Sequence, residues 1–349
     1  MAPTFVPSLQ LNGAFYREVV APLVAAWPHA AALLGWGSDV LGYDTERSTD
    51  HGWGPRLLVF VEPPHVEAVR RAVDQGLPES FRGWPVRYGW DDEPVRHHVE
   101  VLPLGEWLVD QLGVDPRAGL ATVDWLVIPQ QKLLGVVRGS VYADPTGELE
   151  AVRRRLAWYP RDVWLWMLAS QWRWISQEEA FVGRAAEVGD ELGSRLITGR
   201  LVRALMRLVF LLERRYWPYE KWFGTAFAEL EAATTLTEPL AQAVGAPDIA
   251  SREDALVRAY EAVAARHNTL GLTEWVDPTP RRFHNRPYRV LMADRFAEAC
   301  VAAIRDPTLR DLPLVGSVDQ FVDSTDVLAM VRRSGHLRAF YDALRRSPS

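Results

Sequence analysis

Apolar positions recur at helical spacing through SLQLNGAFYREVVAPLVAAWPHAAALL, and the pattern predicts a helix over residues 8–34, broken into pieces by Pro22 and Pro28. GWGSDVLGYDTERSTDHGWGPR at 35–56 is rich in turn formers. LLVFVE at 57–62 is a short apolar run and reads as a buried strand. PPHVEAVRRAVDQGL at 63–77 reads as a helix opened by proline. VRHHVEVLPL at 95–104 alternates and reads as a second strand. From residue 105 the period turns helical: 105–113, 122–137 and 148–159, then a long tract over 161–231, then 233–244, 251–270, 288–305 and 325–346. Pro and charge content mark 271–287 as a loop. The expected architecture is α+β: a small mixed sheet with flanking helices at 1–145, then an α-helical bundle at 146–349, divided at the Pro- and Gly-containing turn in VYADPTGELE.

Composition narrows the classes. Hydrophobic residues make up 48% of the 349, enough for real cores, so no disordered segment is expected. The net charge of -6 argues against general nucleic-acid binding, which needs a basic face. The single cysteine, Cys300, excludes an internal disulfide and CxxC-type zinc sites, and its apolar helical surroundings read as core. The N-terminus lacks the basic and apolar regions of a signal peptide, and LVFLL at 208–212 falls far short of the ~20 residues that span a bilayer. The expectation is a cytoplasmic protein with no membrane partner. Many of the fifteen tryptophans cluster between Trp158 and Trp222, mostly as expected core.

The informative chemistry lies in the turn-rich segment. A Gly37-Ser38 turn at a helix start lets backbone N–H groups and a hydroxyl approach a polyphosphate. Asp50 follows, with residues 39–49 between, just ahead of the first strand, where a carboxylate can hold Mg²⁺ against the same phosphates. This arrangement resembles the DNA polymerase beta-like nucleotidyltransferase superfamily, in its small-substrate branch. More closely, GSDVLGYDTERSTDHGWGPR, DVWLWMLASQWRWISQEEAFVGRAAEVGDELGSRLI and RRYWPYEKWFGTAF resemble the bacterial family catalogued as domain of unknown function 4037.

The resemblance implies an enzyme that passes a nucleoside monophosphate from an NTP, with Mg²⁺, to a hydroxyl or amine of a small molecule or protein. Gly37 and Ser38 would hold phosphates; Asp50 and Glu100 would hold the metal and act with His51 as the catalytic set. One departure stands out: the superfamily's second carboxylate falls on Gly52, which has no ligand to offer. Asp39, Asp44 and Glu46 are possible substitutes. A two-metal site shares carboxylates between ions about 3.5–4 Å apart, so two further readings stay open. One is an impaired module that binds a nucleotide or phospho-ligand. The other is a repurposed enzyme using Asp50 or His51 as general base.

In the helical part, Arg200, Arg203, Arg207 and Arg214 fall on one stripe that would suit phosphate or pair with Asp190, Glu191 and Glu213. Lys221, set among aromatic residues, and Arg207 are the expected nucleotide contacts from this part, with Trp172, Trp174 and Phe181 as stacking surface. Nucleophile-elbow, Walker, dinucleotide-fold and zinc-protease motifs are absent from the sequence.

Overall fold

The computed structural model describes residues 3–91 and 93–346. The chain divides into two compact units, one comprising residues up to Ala121, Ile128–Ala157 and Ala329–Gly335, the other Thr122–Val127, Trp158–Leu328 and residues from His336 onward.

The first unit is built on a mixed five-stranded sheet. Its strands in chain order are β1 (Ala30–Leu33), β2 (Arg56–Phe60), β3 (Ser80–Phe81) and β4 (Trp84–Pro85), which form a separate small ribbon, then β5 (Arg87–Trp90), β6 (Glu93–Leu102) and β7 (Ser140–Ala143). The sheet order is β5-β6-β2-β1-β7. The β2 and β6 strands pair in parallel, placing Arg56 beside His98 and Leu58 beside Glu100; the other pairings are antiparallel. Because side chains alternate across a strand, this register sorts the sheet into two faces. Leu57, Val59, Val99 and Val101 join Leu11, Phe15, Val69 and Val73 in one buried core against the helices α1 (Ser8–Phe15) and α4 (Val66–Gly76). Arg56, Leu58, His98 and Glu100 take the opposite face.

The helix expected over 8–34 ends early. After α1 the chain winds as a π-helix through Tyr16–Val20 into α2 (Ala21–Val24), and Ala30–Leu33 is the strand β1. Pro28 disfavours helical backbone ahead of it, and pairing with both β2 and β7 overrides the helical preference of alanine. The strands β5 and β7 also escape the sequence pattern, whereas those expected near 57–62 and 95–104 are present as β2 and β6. A short helix α3 (Ser38–Leu41) sits between β1 and β2, and α5 (Leu104–Leu112) follows β6.

The second unit is helical. Arg161–Glu178 and Glu191–Leu212 are its long helices, with Phe181–Glu187 between them, so the tract expected over 161–231 is broken rather than continuous. Trp166 and Trp172 are fully buried, and Trp172 stacks on Phe296 at 4.6 Å. The segment 288–305 turns helical only at Asp294–Ala303, because Arg289–Val290 pairs with Arg281–Arg282 instead. Cys300 is buried in that helix, and burial pushes its thiol pKa up. Residues 325–346 form three short helices, not one. Among the described residues, no helix is long and apolar enough to cross a membrane.

Candidate functional site

Gly37 stands at the head of α3 with φ of 118°, a conformation that L side chains rarely adopt. Space is also closed: a Cβ there would lie 2.2 Å from Asp39 Oδ1. Asp39 in turn receives hydrogen bonds from Arg56 Nε at 2.7 Å and Arg56 Nη2 at 2.9 Å. Arg56 Nη2 also donates to the Trp36 carbonyl at 2.8 Å, while the Arg56 backbone N–H donates to Asn12 Oδ1 at 2.7 Å. The turn before α3 and the first residue of β2 are thus fastened into one unit. Asp39 is a structural counter-ion there, occupied by Arg56 rather than offered to a metal.

The remaining acids are dispersed. Asp50 closes a 3₁₀ turn over Glu46–Asp50 and bonds His51 Nδ1 at 2.7 Å; both side chains are largely exposed, at 61% and 64%. Asp44 accepts from Ser8 N and Trp53 Nε1, so it ties the loop to α1. Glu46 is exposed. Glu100 lies on β6 with Arg96 Nη2 3.9 Å away, and Arg96 also approaches Glu93 at 3.7 Å.

On the polar face of the sheet a cavity of about 260 Å³ is walled by Trp36, Gly52, Arg56, Trp90, Glu93, Arg96, His98, Glu100, Trp107 and Gln111, with apolar floor residues. Of the residues expected from the sequence, Glu100 lines it, as does Gly52; Gly37, Ser38, Asp50 and His51 are not among its lining residues. The donor set does not fit a magnesium clamp. Among the described residues no group of three or more His, Cys, Asp or Glu converges to hold a metal. Glu100 shares its cavity with two arginines, and Gly52 supplies no carboxylate.

His98 shows how the cavity is tuned. Its Nε2–H donates to the Tyr88 carbonyl at 2.9 Å, and its ring packs on Tyr88 at 4.3 Å and Trp90 at 5.0 Å. Burial holds its pKa below the ordinary histidine value, and the Arg96 and Arg56 charges pull the same way against the Tyr88 hydrogen bond. Burial and the arginine charges thus favour the neutral imidazole, and the cationic groups of the wall are Arg56 and Arg96, set against Glu93 and Glu100. His97, next in sequence, points away and bonds Asp74 at 2.6 Å.

Trp36, Arg56, Trp90 and Arg96 escaped the sequence reading. A signal existed for some of them: Arg96, His98 and Glu100 alternate along β6, and Trp36 sits between two glycines in a turn. A larger cavity of about 800 Å³ lies beyond the C-terminal ends of β2 and β6, beside Glu62, Glu106, Asp110 and Asp144; it holds none of the expected residues.

The second unit's expected contacts have partners of their own. Arg207 is buried, 3.2 Å from Asp323 and 3.9 Å from Glu220, with its guanidinium over Trp217. Arg203 pairs with Asp323 and Glu220, Arg200 with Glu178, and Arg214 lies over Trp164. The stripe is balanced by Glu178, Glu220 and Asp323, not by the expected Asp190, Glu191 and Glu213. Lys221 is exposed, its Nζ 5.0 Å from the Trp222 ring centroid. Trp172, expected as stacking surface, is core.

Comparison with known proteins gives two findings. Residues 125–223 match the model of the family described as "Domain of unknown function (DUF4037)", in line with the resemblance drawn from the sequence. Among solved structures, the chain is similar to a nucleotidyltransferase-like protein from Exiguobacterium sibiricum 255-15, with 15% identity over 79% of this chain and 82% of that one and a TM-score of 0.32. No curated protein matches the chain.

Proposed function

We propose, from the likeness to that family of unknown function, that this chain is a nucleotidyltransferase-like binding module: it holds a phosphorylated ligand of nucleotide size and does not carry out metal-dependent nucleotidyl transfer. The observation that carries the reading is the exchange of chemistry in one cavity. Gly52 stands where the superfamily pattern wants a carboxylate, and Arg56 and Arg96 share the wall with Glu93 and Glu100. Guanidinium groups match phosphate oxygens directly and need no intervening Mg²⁺. At about 260 Å³ the cavity sits just below the ~300–1,000 Å³ of drug-sized ligand sites, in keeping with a mononucleotide rather than a polymer.

The test is a thermal-shift series with ATP, GTP, CTP and UTP, each in EDTA and in Mg²⁺, joined to a pyrophosphate-release assay with small hydroxyl and amine acceptors. Specific binding raises the melting temperature by mass action. The expected result is a shift that survives EDTA and no pyrophosphate. Magnesium-dependent release that Asp50→Asn abolishes would overturn the reading and restore transfer as the function.

A further inference from the structure

Gly52 is more than a missing ligand. Its backbone has φ of 60°, and an added Cβ would stand 3.7 Å from Trp90 Cε2 and 3.8 Å from Trp36 Cη2. Two indoles therefore approach one point of backbone, and the lack of a side chain there leaves that point unfilled. A side chain here would adopt a left-handed backbone, and its Cβ would make ordinary contact with both rings, so glycine leaves this point unfilled.

Each ring has a neighbour packed on it. The Arg56 guanidinium lies 5.6 Å from the Trp36 ring centroid and holds the Trp36 carbonyl. Trp90 packs on His98 at 5.0 Å, and His98 is pinned to the Tyr88 carbonyl. Yet Trp36 is 60% exposed, while Trp166 and Trp172 are fully buried. An exposed indole beside a cavity offers stacking surface.

We propose that the gap over Gly52, between Trp36 and Trp90, receives a planar heteroaromatic ring: the base of a nucleotide whose phosphate meets Arg56 and Arg96. This deepens the binding-module reading and rests on it for the phosphate half. Base stacking on aromatic side chains is worth about 1–3 kcal/mol, about five- to more than a hundredfold in affinity. Stacking selects by ring shape, and Gln111 in the same wall is left for the hydrogen-bonding edge of the base.

Isothermal titration of the full chain against ATP, adenosine, ribose 5-phosphate and inorganic tripolyphosphate separates the two halves. ATP is expected to bind at least tenfold tighter than tripolyphosphate or ribose 5-phosphate, and Trp36→Ala is expected to remove that margin. Trp36 is exposed, so the variant should fold; circular dichroism checks this. Gly52→Leu, which keeps the Trp36 side chain and fills the space beside it, should have the same effect, with circular dichroism again checking the fold at this positive φ. Equal affinity for ATP and tripolyphosphate would overturn the slot and leave the phosphorylated-ligand reading intact. Adenosine binding as tightly as ATP, with no tripolyphosphate binding, would uphold the slot and sink the phosphate half. No heat with any of the four overturns both.

Discussion

Arg56 grips Asp39 with a two-pronged hydrogen bond, at 2.7 and 2.9 Å, and the carboxylate it holds is only 4% exposed. Planar, bidentate pairing of this kind fixes orientation as well as charge. It sets the guanidinium that faces the cavity, and it holds the glycine turn against β2. One ion pair thus links the shape of the backbone to the charge of the site.

Removing one member of this pair should be costly. Arg56→Ala leaves Asp39 buried without its counter-ion, and breaking a buried pair typically costs about 3–5 kcal/mol. Asp39→Asn in the same background should recover part of that loss, since the stranded charge is gone. Urea unfolding of both single variants and the double variant checks this; simple additivity would show that the two groups are not coupled.

Glycines 37 and 52 should respond differently to alanine. At position 37 a methyl meets the Asp39 carboxylate at 2.2 Å and must also adopt φ of 118°, so Gly37→Ala should cost well over ~2 kcal/mol and disturb the Arg56 pair. Position 52 has φ of 60° and only ordinary contacts, so Gly52→Ala should cost about 1–2 kcal/mol. Melting temperatures of the two variants give the order directly.

Glu100→Gln discriminates between a phosphate wall and a cation clamp. If anions bind directly to Arg56 and Arg96, removing a nearby negative charge should tighten ATP binding, by about 1 kcal/mol or roughly fivefold at ~4 Å in a watery setting. A metal site would weaken instead, and only when Mg²⁺ is present. Titrations of ATP in EDTA and in Mg²⁺ read out both.

In the second unit, His267 predicts an acid sensitivity. Trp172 Nε1 donates to its Nδ1 at 3.1 Å, so its other nitrogen carries the proton and meets Thr273 Oγ1 at 3.1 Å. Burial lowers its pKa to about 4. A histidine held neutral in the fold binds fewer protons than in the unfolded chain, so its contribution is whole above pH ~6.5 and declines as pH falls toward 4. His267→Gln should flatten that part of the stability-against-pH curve in urea titrations, while lowering stability at neutral pH.

Long apolar runs were legible because their period survives folding. β2 and the helices at 66–76 and 161–178 lie where their periodicity put them. β1 was not, because AAAL has helical preference and becomes a strand only when β2 and β7 flank it. The site followed the same division. Glu100 could be placed on a strand from local alternation. The cavity role of Trp36 and Trp90 needs β5 folded back on β6, and that of Arg56 needs Asp39 across a turn. Such pairings are set by tertiary register, which no local pattern carries.

The buried thiol has an experimental use. With Cys300 sealed inside its helix and its thiolate disfavoured, the native chain should be nearly inert to maleimide reagents at neutral pH. A cysteine engineered at the rim of the tryptophan gap would then take a dye there alone, and ligand entry could be followed at one chosen spot without the background of fifteen indoles.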